Sequence, residues 1–212
     1  MTGTADGADL AAWIRLAAER VAADAGRLTS LDAAIGDGDH GLNLDRGLAA
    51  AVAALPDGAP PGKVLTAAGR AVVSKTGGAS GPLYGTALRR AGKAFGDADP
   101  IDAAALGAGL RAALDGVREL GQAAGGDKTM VDALIPAVAS YDAALAAGTG
   151  LAGCARAAAD GAAQGADATV PMQARKGRAS YLGERSIGHM DPGAASTALI
   201  LRALADTLTE RD

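Results

Sequence analysis

Three aspartates fall within eight residues, Asp32, Asp37 and Asp39, and the last two belong to the run IGDGDHG at residues 35–41. The glycines of that run keep the G-x-G-x-x-G spacing of a loop wrapped around a dinucleotide pyrophosphate, which needs a buried strand before it and close backbone approach to bare phosphates. Neither need is met: the preceding LTSLDAAI reads as no strand, and two carboxylates would repel the phosphates. An EF-hand fails as well, because Leu42 stands where its glycine belongs and no glutamate falls at its twelfth position. Two readings remain for the loop alone. The carboxylates can gather around a hard cation such as Mg²⁺, which takes few protein oxygens and completes its shell with substrate phosphates, or they can form a solvated Asp-Gly turn.

Other polar stretches carry chemistry of their own. GGASGPLYG at residues 77–85 presents Ser80 either as a plain helix cap or, with neighbouring amides, as a phosphate contact. Gly121 and the following GGDKT give G-x-x-x-x-G-D-K-T, a Walker A motif interrupted by one residue and preceded by helix rather than strand, so the match is compositional. Thr129 can still meet a nucleotide at a helix start, whereas Lys128 reads as a solvated residue. Arg175, Lys176, Arg178 and Arg185 lie within eleven residues of a glycine-punctuated segment more than twenty residues long. A long loop in a compact domain points to function, and an arginine there could neutralise charge on a transferring phosphoryl group. Both histidines, His40 and His189, fall in these loops, where fixing local structure is the commoner role and acid–base chemistry the rarer one. Cys154, the single cysteine, sits at helical spacing in LAGCARAAA and reads as core; no internal disulfide can form.

The elements that must position these residues are helical. Apolar residues recur at three- and four-residue intervals with little strand-like alternation. Helices are expected over 8–25, 43–55, 61–76, 83–95, 101–120, 129–147, 150–167 and 193–210, with a short helical piece near 28–35. Asp99-Pro100, Asp191-Pro192 and Ser80-Gly-Pro82 offer caps followed by proline, and Gly96 and Gly148 fall at helix ends. Connections after the second, fourth and sixth helices are short. Those before the second, fourth, sixth and eighth are long or rich in glycine and polar groups. With successive helices antiparallel, all four of these loops meet at one end, each bringing a helix N-terminus that favours an anion. That convergence predicts one composite anion site and favours the metal reading of the aspartates.

Bulk composition bounds the rest. The 212 residues suffice for one core, and no linker argues for a second domain, so residues 1–212 are expected to form a single unit. Hydrophobic residues make up 49% but aromatics only 2%, with 31 glycines, which favours closely packed helices over a sheet. A net charge of −4 argues against a nucleic-acid surface and favours a small diffusible ligand. No stretch is long and apolar enough for a bilayer, and the first residues lack a basic targeting region, so the expected location is the cytoplasm.

The segments LDAAIGDGDHGLN, GGASGPLYG, GDKTM and ARKGRASYLGERSIGHMDPGA, in that order and spanning about residues 31–194, together resemble the nucleotide-binding L subunit or L domain of dihydroxyacetone kinases. The resemblance covers essentially the whole chain, and Gly125-Gly126 differs somewhat from the family pattern. It implies an all-α barrel of eight antiparallel helices with ADP or ATP bound at one end through two Mg²⁺ ions. By matching positions, it implies Asp32, Asp37 and Asp39 as metal ligands and His40, Gly41, Leu42 and Asn43 along the nucleotide site. Ala79 and Ser80 would contact phosphate, Gly121, Thr129 and Met130 would flank the nucleoside, and Arg178, Asp191, Pro192 and Gly193 would close the pocket. Arg178 and His40 are the catalytic candidates. The implied activity is phosphoryl transfer to a short ketose held covalently by a separate K subunit, with this chain inactive alone. The donor is free ATP in one branch and, in the other, a phosphocarrier protein of the phosphotransferase system that recharges bound ADP; a homodimer is compatible with either. A nucleotide-sensing module without chemistry is the alternative, and a metal-dependent hydrolase is weaker because no activated nucleophile or base stands beside the carboxylates.

Overall fold

Small aliphatic side chains at helical spacing let helix backbones approach closely. The computed structural model, which describes residues 3–209, is all-α among those residues, with one isolated backbone bridge between Ala5 and Ile101. Its elements are α1 (Gly7–Ile35), α2 (His40–Ala53), α3 (Pro61–Lys75), α4 (Ser80–Phe95), α5 (Ala103–Gly121), α6 (Val131–Ala146), α7 (Leu151–Ala168) and α8 (Pro192–Thr209), with a 3-10 helix (Arg178–Ser186) before the last. Each helix packs on its neighbours in sequence, and α8 returns to α1 to close the ring. At that seam the Trp13 indole N–H donates to the Ile200 carbonyl at 2.9 Å.

Glycine decides how near the helices come. A Cβ on Gly62 of α3 would stand 2.4 Å from the Gly96 carbonyl oxygen, and one on Gly69 would stand 2.7 Å from that of Gly85. Rising along α3 therefore means falling along α4. The same inversion relates α6 and α7, where a Cβ on Gly161 would meet the Pro136 oxygen at 2.5 Å and one on Gly165 the Asp132 oxygen at 2.2 Å. Antiparallel runs of this kind bring the starts of α2, α4, α6 and α8 to one end. Among the described residues no helix is long and apolar enough to cross a membrane.

Several expected boundaries move. The pieces 8–25 and 28–35 are one helix: Gly26 costs helix propensity, but fully buried Leu28 and nearly buried Ile35 hold the continuation in place. Consequently Asp32 lies on a helix rather than in a loop. α2 begins at His40 instead of residue 43, because the Asp32 carboxylate accepts from the first amides, Asp39 N at 2.9 Å and His40 N at 3.1 Å. Ser80 is the first residue of α4, not its cap. Asp99 caps nothing either: Ile101 exchanges both backbone hydrogen bonds with Ala5, and α5 starts only beyond it, capped by the Asp102 carboxylate on Ala105 N at 2.8 Å. Asp191-Pro192 behaves as expected, with Asp191 accepting from Ala194 N at 2.7 Å. The last helix was expected to reach residue 210, which lies outside the described residues.

Candidate functional site

The end of the ring where α2, α4 and α8 begin holds a cleft of about 420 Å³ lined by residues from all four long connections. Asp32 enters from the last turn of α1, and Asp37 and Asp39 from the four residues joining it to α2. Gly38, at φ +72°, lets that connection turn sharply, a conformation other L residues rarely adopt. Each of the three aspartates offers an oxygen within 4.8 Å of the others. Three carboxylates so close repel one another unless a cation sits among them, and an all-oxygen donor set suits Mg²⁺. One Asp32 oxygen is committed to the α2 amides, so the carboxylate is fixed in orientation.

Opposite stands Arg178, whose guanidinium lies 3.1 Å from Asp37. The segment carrying it is seated by an apolar contact of Ile35, Ala174 and Ala179, with Leu182 against them. Gly177, at φ +65°, turns the chain just before Arg178. Lys176 also lines the cleft, whereas Arg175 and Arg185 are exposed and do not. His189 is exposed too; only its carbonyl faces inward.

His40 is buried and held on both nitrogens, Nδ1 by Ser80 Oγ at 3.0 Å and Nε2 by Ser196 Oγ at 2.8 Å. Burial lowers its pKa, against the raising fields of Asp32 and Asp39, so the neutral ring carries a single N–H. In the tautomer protonated at Nδ1, His40 donates to Ser80, whose own hydroxyl proton is then free to point into the cleft. Ser196 also joins Tyr84, whose hydroxyl lies 2.7 Å from Ser196 and 2.9 Å from Thr197 and donates to the Gly193 carbonyl at 3.0 Å. Burial pushes the Tyr84 hydroxyl up to about 12, so it stays protonated. The chain Ser80–His40–Ser196–Tyr84 thus ties the starts of α2, α4 and α8 together.

A second, apolar cleft of about 390 Å³ opens beside the first and shares Ala79, Leu83, Thr129, Met130, Lys176 and Gly177 with it. Gly121 lines this cleft, along with Pro82, Val117 and Leu120. The structure therefore brings Asp32, Asp37, Asp39, His40, Ala79, Ser80, Thr129, Met130, Arg178, Asp191, Pro192 and Gly193 to one cavity and Gly121 to its extension. Gly41, Leu42 and Asn43 are not among the lining residues. Gly41 is buried against α1 and Asn43 beside Gly77, and Leu42 is 58% exposed.

Sequence reasoning misread Lys128 and missed Asp132. Lys128 is 1% exposed rather than solvated, its ammonium hydrogen-bonded to backbone carbonyls. Asp132 shapes the loop before α6, accepting from Gly126 N at 2.5 Å and Thr129 N at 2.9 Å. Thr129 in turn accepts from Val131 N at 3.1 Å. The signal for that pair was present, since Thr129-Met-Val-Asp132 has the spacing of a capping box. Cys154 is fully buried and burial raises its thiol pKa, in keeping with a core role.

A family model described as the DAK2 domain matches residues 34–206. The chain is 43% identical over 199 residues to the protein named PEP-dependent dihydroxyacetone kinase 1, ADP-binding subunit DhaL, of Listeria innocua, covering 92% of this chain and 93% of that one. It is 42% identical to a D-erythrulose kinase of Mycolicibacterium smegmatis, covering 91% of this chain but only 34% of that longer protein. The crystal structure of the dihydroxyacetone kinase from C. freundii in complex with AMP-PNP and Mg²⁺ superposes with a TM-score of 0.69 at 27% identity, over 97% of this chain and 35% of that one.

Proposed function

The chain belongs to the DAK2 domain family, and from that premise we propose that it is the ADP- or ATP-binding subunit of a two-component kinase, passing a phosphoryl group to a short ketose held by a separate K subunit. The observation that carries this reading is the meeting of three carboxylates with the starts of α2, α4 and α8 in one cleft. Asp32, Asp37 and Asp39 would hold two Mg²⁺ ions; their charge of −3 against +4 leaves a centre attractive to phosphate. Mg²⁺, when bound, neutralises phosphate oxygens and orients them.

The chain's own residues then divide the work. The free amides at the N-terminus of α4, with the Ser80 hydroxyl, receive phosphate oxygens. His40 orients Ser80 and stays neutral rather than moving a proton to substrate. Arg178 and Lys176 add positive charge where negative charge gathers on the transferring group, the effect on which phosphoryl transfer chiefly depends. The apolar cleft beside Gly121, Leu120 and Met130 takes the flat face of the base. The ketose is dihydroxyacetone or a tetrulose, since relatives named for each are about equally similar.

Asp37→Ala should abolish Mg²⁺-dependent ADP and ATP binding, measured by calorimetry, while far-ultraviolet circular dichroism stays helical. Unchanged affinity would remove the metal assignment. In the companion assay the chain is mixed with a K subunit, ATP and dihydroxyacetone. Phosphorylated triose should form only with both proteins; nucleotide binding with no turnover across a panel of short ketoses would instead mark a nucleotide sensor. A bound ADP that never exchanges with labelled ATP in that assay would assign the donor role to a phosphocarrier protein.

A further inference from the structure

The least exposed charged side chain among the described residues, Lys128, borders the cleft beside Asp191 but spends its hydrogen bonds on backbone. Lys128 sends its ammonium into a cage of four backbone carbonyls: Thr169 at 2.9 Å, Met172 at 3.0 Å, Ser186 at 2.8 Å and His189 at 2.5 Å. Among the described residues no carboxylate pairs with it within ion-pair distance. An ammonium has three protons to give, so four oxygens at these distances enclose it as they would enclose a bare monovalent cation, replacing its water by carbonyl dipoles. Such a charge would be costly to bury if those dipoles did not compensate it.

The positions of the four oxygens give the cage its purpose. Thr169 and Met172 stand where the chain leaves α7, and Ser186 and His189 where it returns to α8. The ammonium therefore ties the neck of the excursion that carries Lys176 and Arg178. Three neutral bonds lie around the same neck, Gly188 N to the Val170 carbonyl at 2.8 Å, Ala174 N to Ser186 Oγ at 2.9 Å and Asp191 N to Thr169 Oγ1 at 2.9 Å. Lys128 reaches the cage from a backbone at φ +62°, a left-handed conformation that costs a non-glycine residue roughly 1 kcal/mol. On backbone grounds glycine would serve better at this position.

We infer that Lys128 is a positioning residue whose ammonium acts as a built-in monovalent cation, locking the neck of the 169–190 segment and so holding Lys176 and Arg178 over the anion end of the cleft. The lock stands on the cage geometry alone; its consequence for phosphate rests on the nucleotide reading above. Because the cage is made of backbone, it outlasts removal of the side chain. Lys128→Gly relieves the left-handed backbone and vacates the cage, whereas Lys128→Met fills it with an uncharged chain of similar length.

The test uses the full chain in sodium-free choline buffer, reading amide hydrogen exchange over 170–190 and Mg-ADP affinity. Both variants should lose exchange protection in that segment, and affinity should fall by at least about tenfold as the charged groups lose their placement. At matched ionic strength, ammonium or potassium should restore both readouts in Lys128→Gly and neither in Lys128→Met, with lithium ineffective because it is too small to span the oxygens. Wild-type protection in Lys128→Met, or recovery of Lys128→Gly that is the same in every salt, would overturn the inference. Should Lys128→Gly fold only when ammonium or potassium is present, that dependence is itself the expected result; should it fold in no salt, protection in Lys128→Met decides. Failure of the wild-type chain to bind Mg-ADP would sink the nucleotide reading while leaving the exchange result to judge Lys128.

Discussion

Asp191 caps the start of α8, and its titration should be visible in stability. Its carboxylate accepts from Ala194 N at 2.7 Å, capping the helix. Burial pushes its pKa up to about 7, against the lowering bond from Ala194, with the nearby Asp132 charge raising it further and Lys128 lowering it. A carboxyl whose folded pKa lies above its unfolded value binds more protons when folded, so its contribution is full below about pH 4 and lost as pH rises through about 7. Asp191→Asn keeps the cap and removes the titration. In metal-free protein, the stability of wild type relative to Asp191→Asn should therefore fall with rising pH across that window, by roughly 1.4 kcal/mol for each unit of raised pKa. Urea unfolding at several pH values checks this, and parallel curves for the two proteins would contradict it. At this scale the three aspartates were legible because their spacing is local. Lys128 was not, since the carbonyls that cage it lie 41 to 61 residues away and leave no mark near position 128.

Among the elements, the crossing of α1 and α2 sets where the cleft floor lies. A Cβ on Gly41 would stand 2.1 Å from the Ala25 carbonyl oxygen, so this glycine is there for close approach of two helices. Gly41→Ala should destabilise the protein by about 1–3 kcal/mol, as overpacking against backbone does. Gly121 offers the contrast. An added methyl there would find only the Leu83 side chain at 3.3 Å, so Gly121→Ala should stay within about 0.5 kcal/mol of wild type. Comparing the two by urea unfolding tests the packing account, and equal losses would refute it. Helix existence was readable from spacing almost throughout, but starts were not. Asp32 extends its reach to the α2 amides, and Ile101 pairs with Ala5, and each such contact moved a boundary that local caps alone would have placed elsewhere.

For the molecule as a whole, four connections from different parts of the chain share one cleft, so a ligand bound there bridges most of the ring. Mg-ADP should then raise the melting temperature of the entire protein in one transition. At about a hundred times its dissociation constant the stabilisation is about 2.7 kcal/mol, or roughly 5–10 °C for a chain of this size. ADP with a chelator should give little of that rise, because three carboxylates without a cation oppose the phosphates. Melting curves that respond equally to ADP with and without Mg²⁺ would exclude the carboxylates as metal ligands.

By itself the sequence determined the all-helical class, the end at which the polar loops gather and the three aspartates that cluster there, because periodicity, glycine and charge spacing are local and survive in one dimension. Tertiary structure decided the rest. It carried α1 through to Asp32, turned Gly41 into a helix crossing, left Leu42 facing out, and buried Lys128 in the neck of the 169–190 segment. Those outcomes depend on which backbone oxygens a distant segment brings near, a property of the closed ring that no spacing along the chain records.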